Sequence, residues 1–136
     1  MKENKWIYFG IFIDTKSQLR NLKALNDNEI EIPNDWKRFN HHMTIAFNNG
    51  SEESQSLYEL YKPQMGKKAS LLINGIGVSD DAIAIRVVFN APKLNKIPHI
   101  TIATPPNGKP VNSNKITKWF DIEPYTISGV LEQFVK

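Results

Sequence analysis

A chain of 136 residues, 40% hydrophobic and 23% charged, carries enough apolar material for one ordinary domain and is too short for two well-separated ones, so a single domain over residues 1–136 is expected. The absence of Cys removes disulfide frameworks, thiolate zinc sites and cysteine nucleophiles. A net charge of +3, with Lys scattered through the chain, tolerates an anionic ligand but offers no long nucleic-acid track.

The start, Met1-Lys2-Glu3-Asn4-Lys5, and the apolar stretch Trp6 to Ile13 lack the length of a signal segment or a membrane span, so an unexported, cytoplasmic protein without membrane partners is expected. Trp6 to Ile13 is rich in aromatic and β-branched residues and reads as a buried strand. Asp14 or Thr15 then caps a helix over residues 15–26, with Leu19, Leu22 and Leu25 at helical spacing. A polar loop with Pro33 leads to a strand over 42–47; Ser51, Glu52 and Glu53 start a helix whose apolar face is Leu57, Leu60 and Tyr61, and Pro63 ends it. Residues 71–78 and 82–89 form a hairpin around Ser79-Asp80-Asp81. Residues 100–103 read as a strand, 113–120 as a short helix capped by Asn112 or Ser113, and 125–134 as the last strand. The order β-α-β-α-β-β-β-α-β is an α+β pattern.

His42-Met-Thr-Ile-Ala46 and His99-Ile-Thr-Ile-Ala103 agree at four positions of five and hold two of the three His. One copy alone fits a half-buried strand with its polar side to solvent; a repeat points to a shared cleft. A period of two places His, Thr and Ala of each copy on one face, and Met43, Ile45, Phe47, Ile100 and Ile102 on the other. Imidazole both accepts and donates protons near neutral pH, so a pair serves as base and acid in one displacement. The Thr hydroxyl, about 6.5 to 7 Å further along each strand, can donate to a non-bridging phosphate oxygen.

Paired His-x-Thr motifs on strands in a chain of this size resemble the two-histidine (2H) phosphoesterases, related to 2′-5′ RNA ligase-like proteins. That resemblance implies a bilobal α+β fold, with two pseudo-symmetric antiparallel-sheet lobes, helices outside and a central cleft. It also implies catalytic roles for His42, Thr44, His99 and Thr101. The segments Gly108 to Lys115 and Ser128 to Glu132 look more specifically like viral anti-CBASS phosphodiesterases, which degrade cyclic di- and trinucleotide immune signals. The expected activity is therefore cleavage of 3′-5′ linkages in a cyclic oligonucleotide. The alternatives are cellular RNA-end processing at a 2′,3′-cyclic phosphate or a 2′-5′ linkage, and a sponge that sequesters cyclic nucleotides without cleaving them.

Four further residues are candidates for substrate binding. Tyr8 shares a strand face with Gly10 and Phe12 and either stacks on a base, holds a phosphate or belongs to the core. Trp36 lies in the loop before the first motif and either covers a nucleobase or pins that loop to the body. Lys109 is either a mobile phosphate neutraliser or an ordinary surface Lys. Glu132, by the anti-CBASS resemblance, accepts from a base amino edge; otherwise it is a solvated charge. His41 has the parity opposite to His42, which turns it to the Met43 side or leaves it at the strand entrance. There is no Gly-rich phosphate loop and no His-Glu-x-x-His, and three His without Cys make a poor metal site, so neither metal nor cofactor is expected.

Overall fold

The computed structural model describes residues 5–135, and the expectation drawn from Met1 to Asn4 falls outside them. Its strands are β1 (Trp6–Ile13), β2 (Lys37–Arg38), β3 (His42–Phe47), β4 (Lys68–Val78), β5 (Ile83–Val88), β6 (His99–Thr104) and β7 (Trp119–Val135). The helices are α1 (Thr15–Asp27) and α2 (Glu52–Tyr61), with 3-10 turns at Lys62–Gln64 and Pro110–Lys115. Among the described residues no helix is long and apolar enough to cross a membrane.

The expected elements are present apart from the last helix. The segment 113–120, expected to be helical, divides into the 3-10 turn and the start of β7, because Ile116 is extended (ψ 127°) and Trp119 and Phe120 pair with Gly77 and Ile76. The Trp119 ring covers Gly77 so closely that a Cβ there would lie 2.6 Å from ring atoms. Pro124 is tolerated within β7 because it falls at the register shift opposite Ile73 to Gly75, where ladder donors are not required.

Each helix buries most of the face that its apolar spacing indicates, with one Leu of each left outside. In α1, Leu25 is buried but Leu19 is 62% exposed, and Asn21 enters the interior instead. There it donates to Asn40 Oδ1 (2.9 Å) and accepts from the Tyr125 hydroxyl (2.8 Å), which satisfies the buried amide. In α2, Leu57 and Tyr61 are buried and Leu60 is exposed. Asp14 caps α1 through Ser17 N–H (2.8 Å) and accepts from Ser128 Oγ (2.6 Å), fastening the helix start to β7.

All seven strands belong to one sheet, in the order β2-β6-β3-β1-β7-β4-β5, and β5 returns to pair with β6. The product is a small barrel-like α+β fold. The two separate sheets expected of a bilobal molecule are joined into one, because β7 is long enough to pair with β1 along residues 129–135 and with β4 along 119–130. Phe9, Ile45, Ile73, Ile85, Ile100 and Ile102 form the centre of the core, each fully buried.

The two motif strands meet at Met43↔Ile100 in an antiparallel pair, a register that sets His42 opposite Thr101 and Thr44 opposite His99. Each motif also carries a bulge at the same place. Gly10↔Thr44 is followed by Phe9↔Ala46, and Ala84↔Thr101 by Ile83↔Ala103, so an extra residue sits between Thr and Ala in both strands. The bulge breaks the period-two pattern: Ala46 and Ala103, expected beside the His residues, are buried, while Phe47, expected in the core, emerges on the His face and is 42% exposed. Gly10 makes the first bulge possible, since a Cβ there would collide with the Met43 carbonyl at 2.0 Å.

Candidate functional site

The entry to β3 is bent before it reaches the first motif. Phe39 and Asn40 donate backbone N–H groups to the Ile102 and Thr101 carbonyls at 2.7 and 2.8 Å. Asn40 then takes a left-handed conformation (φ 67°), which Asn adopts more readily than most residues. Its side chain is fixed at both ends, Nδ2 donating to the Gln18 carbonyl (2.9 Å) and Oδ1 accepting from Asn21. On the far side of the bend the His41 carbonyl accepts from Ile13 N–H at 3.0 Å. His42 therefore enters the strand from a hydrogen-bonded corner rather than from a loose loop.

A cavity of about 360 Å³ opens over the two motifs, with His42, Thr44, His99 and Thr101 in its wall together with Tyr8 and Lys109. Phe39, His41, Phe47, Asn95, Pro110, Val111 and Asn114 complete the lining. His42 packs against the rings of Tyr8 (5.0 Å) and Phe12 (4.8 Å), which themselves lie 6.1 Å apart. Burial, with the nearby His41 and His99 adding to it, pushes its pKa down to about 4. Burial also lowers the His99 pKa, but Nδ1 lies 2.8 Å from the Ile97 carbonyl, and that hydrogen bond works in the opposite direction. With the proton on Nδ1, Nε2 is left as the reactive nitrogen. The Thr101 hydroxyl lies 2.8 Å from Ser113 Oγ and 3.2 Å from the Pro110 carbonyl, whereas Thr44 Oγ1 has no hydrogen bond among the described residues. A second cavity, also about 360 Å³, adjoins the first across Asn95, His99 and Asn114 and adds Lys96 and Trp119 to its wall.

Two of the candidate residues lie elsewhere. Trp36 is half-buried against the main core, pinning its loop to the body. Glu132 pairs with Gly10, which pairs with Thr44, so it occupies the same sheet face two strands away and outside the cavity lining. His41 reaches the cavity because the Asn40 corner puts it outside the strand period. Phe47 arrives there through the bulge, Asn95 from an irregular segment, and Pro110, Val111 and Asn114 from the short 3-10 turn Pro110–Lys115. Among the described residues no group of three or more His, Cys, Asp or Glu is placed to hold a metal ion.

Comparison with known proteins agrees with this geometry. A family model described as the fungal tRNA ligase phosphodiesterase domain matches residues 23–132. A solved structure described as "Crystal Structure of Fungal RNA Kinase" superposes with a TM-score of 0.70 at 17% identity, over 96% of this chain and 46% of that one. At that identity the likeness is one of fold, and this chain spans less than half of the matched chain. No curated protein sequence matches.

Proposed function

Since the chain belongs to the fungal tRNA ligase phosphodiesterase domain family, of the two-histidine type, we propose that it hydrolyses the 2′,3′-cyclic phosphate at an RNA end, with residues 1–136 acting as one domain. The observation that carries this reading is the convergence of His42, Thr44, His99 and Thr101 on one cavity. The family favours the RNA-end activity over cleavage of cyclic oligonucleotides, and paired titrating groups favour catalysis over sequestration.

The two imidazoles differ in a way that divides the work. His42, with its pKa near 4, is neutral at pH 7 and is the base. An arriving phosphate anion favours the charged form of both imidazoles, and His99, whose bond to Ile97 already supports that form, takes the proton. Water attacks phosphorus in line with one ribose oxygen and gives its proton to His42. The bond from phosphorus to that ribose oxygen breaks, and His99 Nε2 protonates the oxygen, leaving a phosphomonoester beside a free hydroxyl. Thr44 donates to a non-bridging oxygen, Thr101 does so on turning away from Ser113, and Lys109 offsets charge at the cavity mouth.

The test is a panel of an RNA trinucleotide ending in 2′,3′-cyclic phosphate, a 2′-5′ oligoadenylate and cyclic di- and trinucleotides, with products resolved by chromatography. Opening of the cyclic end is the expected result. Turnover of the cyclic oligonucleotides alone would replace the proposed substrate, and intact ligand throughout would remove the enzymatic reading.

A further inference from the structure

Beyond the cavity, the sheet face that carries His42 bears a row of aromatic side chains left partly exposed by the described residues. Tyr8 pairs with Phe47 on β3 and with Phe134 on β7, so the three rings lie side by side across neighbouring strands. Phe47 is 42% exposed and Phe134 51% exposed, an unusual concentration of bare ring surface on one face. The Phe134 and Tyr8 rings are 5.4 Å apart and 11° from parallel; Tyr8 and His42 are 5.0 Å apart and 20° from parallel. Ring planes thus continue from the C-terminal end of β7 to the imidazole itself. Phe134 is outside the cavity lining, whereas Tyr8 and Phe47 are within it, so the row is continuous with the candidate active site.

We propose that Tyr8, Phe47 and Phe134 form a base-stacking track for the nucleotides that precede the reacting phosphate, making a single-stranded RNA end, rather than a free cyclic mononucleotide, the preferred substrate. A phosphate held between His42 and His99 leaves its neighbouring nucleotides beside Tyr8, because Tyr8 rests directly on His42. Every base has a π-face, so stacking holds a strand without reading its sequence. Glu132 lies on the same face between the aromatic row and the row of His42 and Phe12, and its carboxylate repels a phosphate backbone. The bases therefore lie against this strip, and the backbone runs on the solvent side. A duplex end, whose bases are already stacked and paired, gains less from the track.

The inference rests on the RNA-end reading for its direction, and two assays separate failure of one from failure of the other. The first compares kcat/KM for adenosine 2′,3′-cyclic phosphate with that for an adenosine trinucleotide carrying the same cyclic end, in wild type and Phe134→Ala. The trinucleotide should be preferred by wild type, and Phe134→Ala should cut its advantage by roughly 5- to 150-fold, the loss of one base stack. An equal loss on both substrates, leaving the ratio unchanged, would mean that Phe134 is structural only. The second assay measures anisotropy of a labelled single-stranded adenosine hexamer with a 2′-O-methyl, 3′-phosphate end that cannot cyclise, beside the same strand in a duplex. Tighter binding of the single strand, weakened by Phe134→Ala, supports the track even if no substrate is turned over. No binding, or binding indifferent to Phe134→Ala in a protein with an unchanged melting profile, would overturn it.

Discussion

His42 packs against the adjacent rings of Tyr8 and Phe12, 5.0 and 4.8 Å away, whereas His99 is held through Nδ1 by the Ile97 carbonyl at 2.8 Å. The backbone around them is the same: both precede a Thr by two residues, both strands bulge after that Thr, and Met43 pairs with Ile100 at the centre. The cross-strand neighbours are not. Phe12 pairs with His42, while Arg86 pairs with His99 and has its charge countered by Asp121. A repeated backbone thus holds two imidazoles in different surroundings, the condition under which one group serves as base and the other as acid.

The largest effect should come from removing either imidazole. His42→Ala and His99→Ala should each lower kcat by roughly 10² to 10⁴, with the double variant little worse than the poorer single one, because the two act in one proton relay. Steady-state kinetics on a cyclic-phosphate end would show this. Full activity in either single variant would end the comparison.

The two Thr residues sharpen it. Among the described residues Thr44 Oγ1 has no partner while Thr101 is engaged with Ser113, so Thr44→Val should lose about 1–3 kcal/mol of transition-state stabilisation and Thr101→Val less. Equal losses in kcat/KM would show that Thr101 leaves Ser113 at no cost.

A smaller effect concerns pH and stability. The folded protein holds the His42 pKa near 4, against 6.5 for a free imidazole, so the unfolded chain takes up a proton that the folded one refuses between those values. This stability contribution is complete above pH 6.5 and is lost as pH falls toward 4. His99, also lowered, adds to the loss in the same direction. Urea unfolding at a series of pH values should show stability falling through that window, with a shallower slope in His42→Phe, which keeps an aromatic ring in the stack. An identical slope in the variant would mean that His42 is not buried as described.

What was legible in the sequence followed short periodicities and close repeats. The β4–β5 hairpin, the strand-helix order from β1 to β6 apart from the two-residue β2, and the meeting of the two His-x-Thr copies needed only alternation, turn residues and the repeat itself. Phe47 and the two motif Ala residues were misplaced because a bulge leaves no mark in a hydropathy pattern, although Gly10 marks the close approach that it requires. Leu19 was misassigned because Asn21 gains more from Asn40 and Tyr125 than its polarity indicates. That network joins residues far apart in the chain. The same holds for His41, whose place depends on the left-handed Asn40, for Asn95, which reaches the cavity from irregular backbone, and for Asn114, which reaches it from the 3-10 turn.

The most direct test of the account is hydrolysis of an RNA trinucleotide 2′,3′-cyclic phosphate in ¹⁸O-labelled water, in excess chelator, with products read by mass spectrometry. The two-histidine mechanism predicts a linear phosphomonoester that carries one labelled oxygen, formed at the wild-type rate despite the chelator and lost in His42→Ala and His99→Ala. An intact cyclic end, or turnover that requires added Mg²⁺ or Mn²⁺ and survives loss of both His residues, would contradict it.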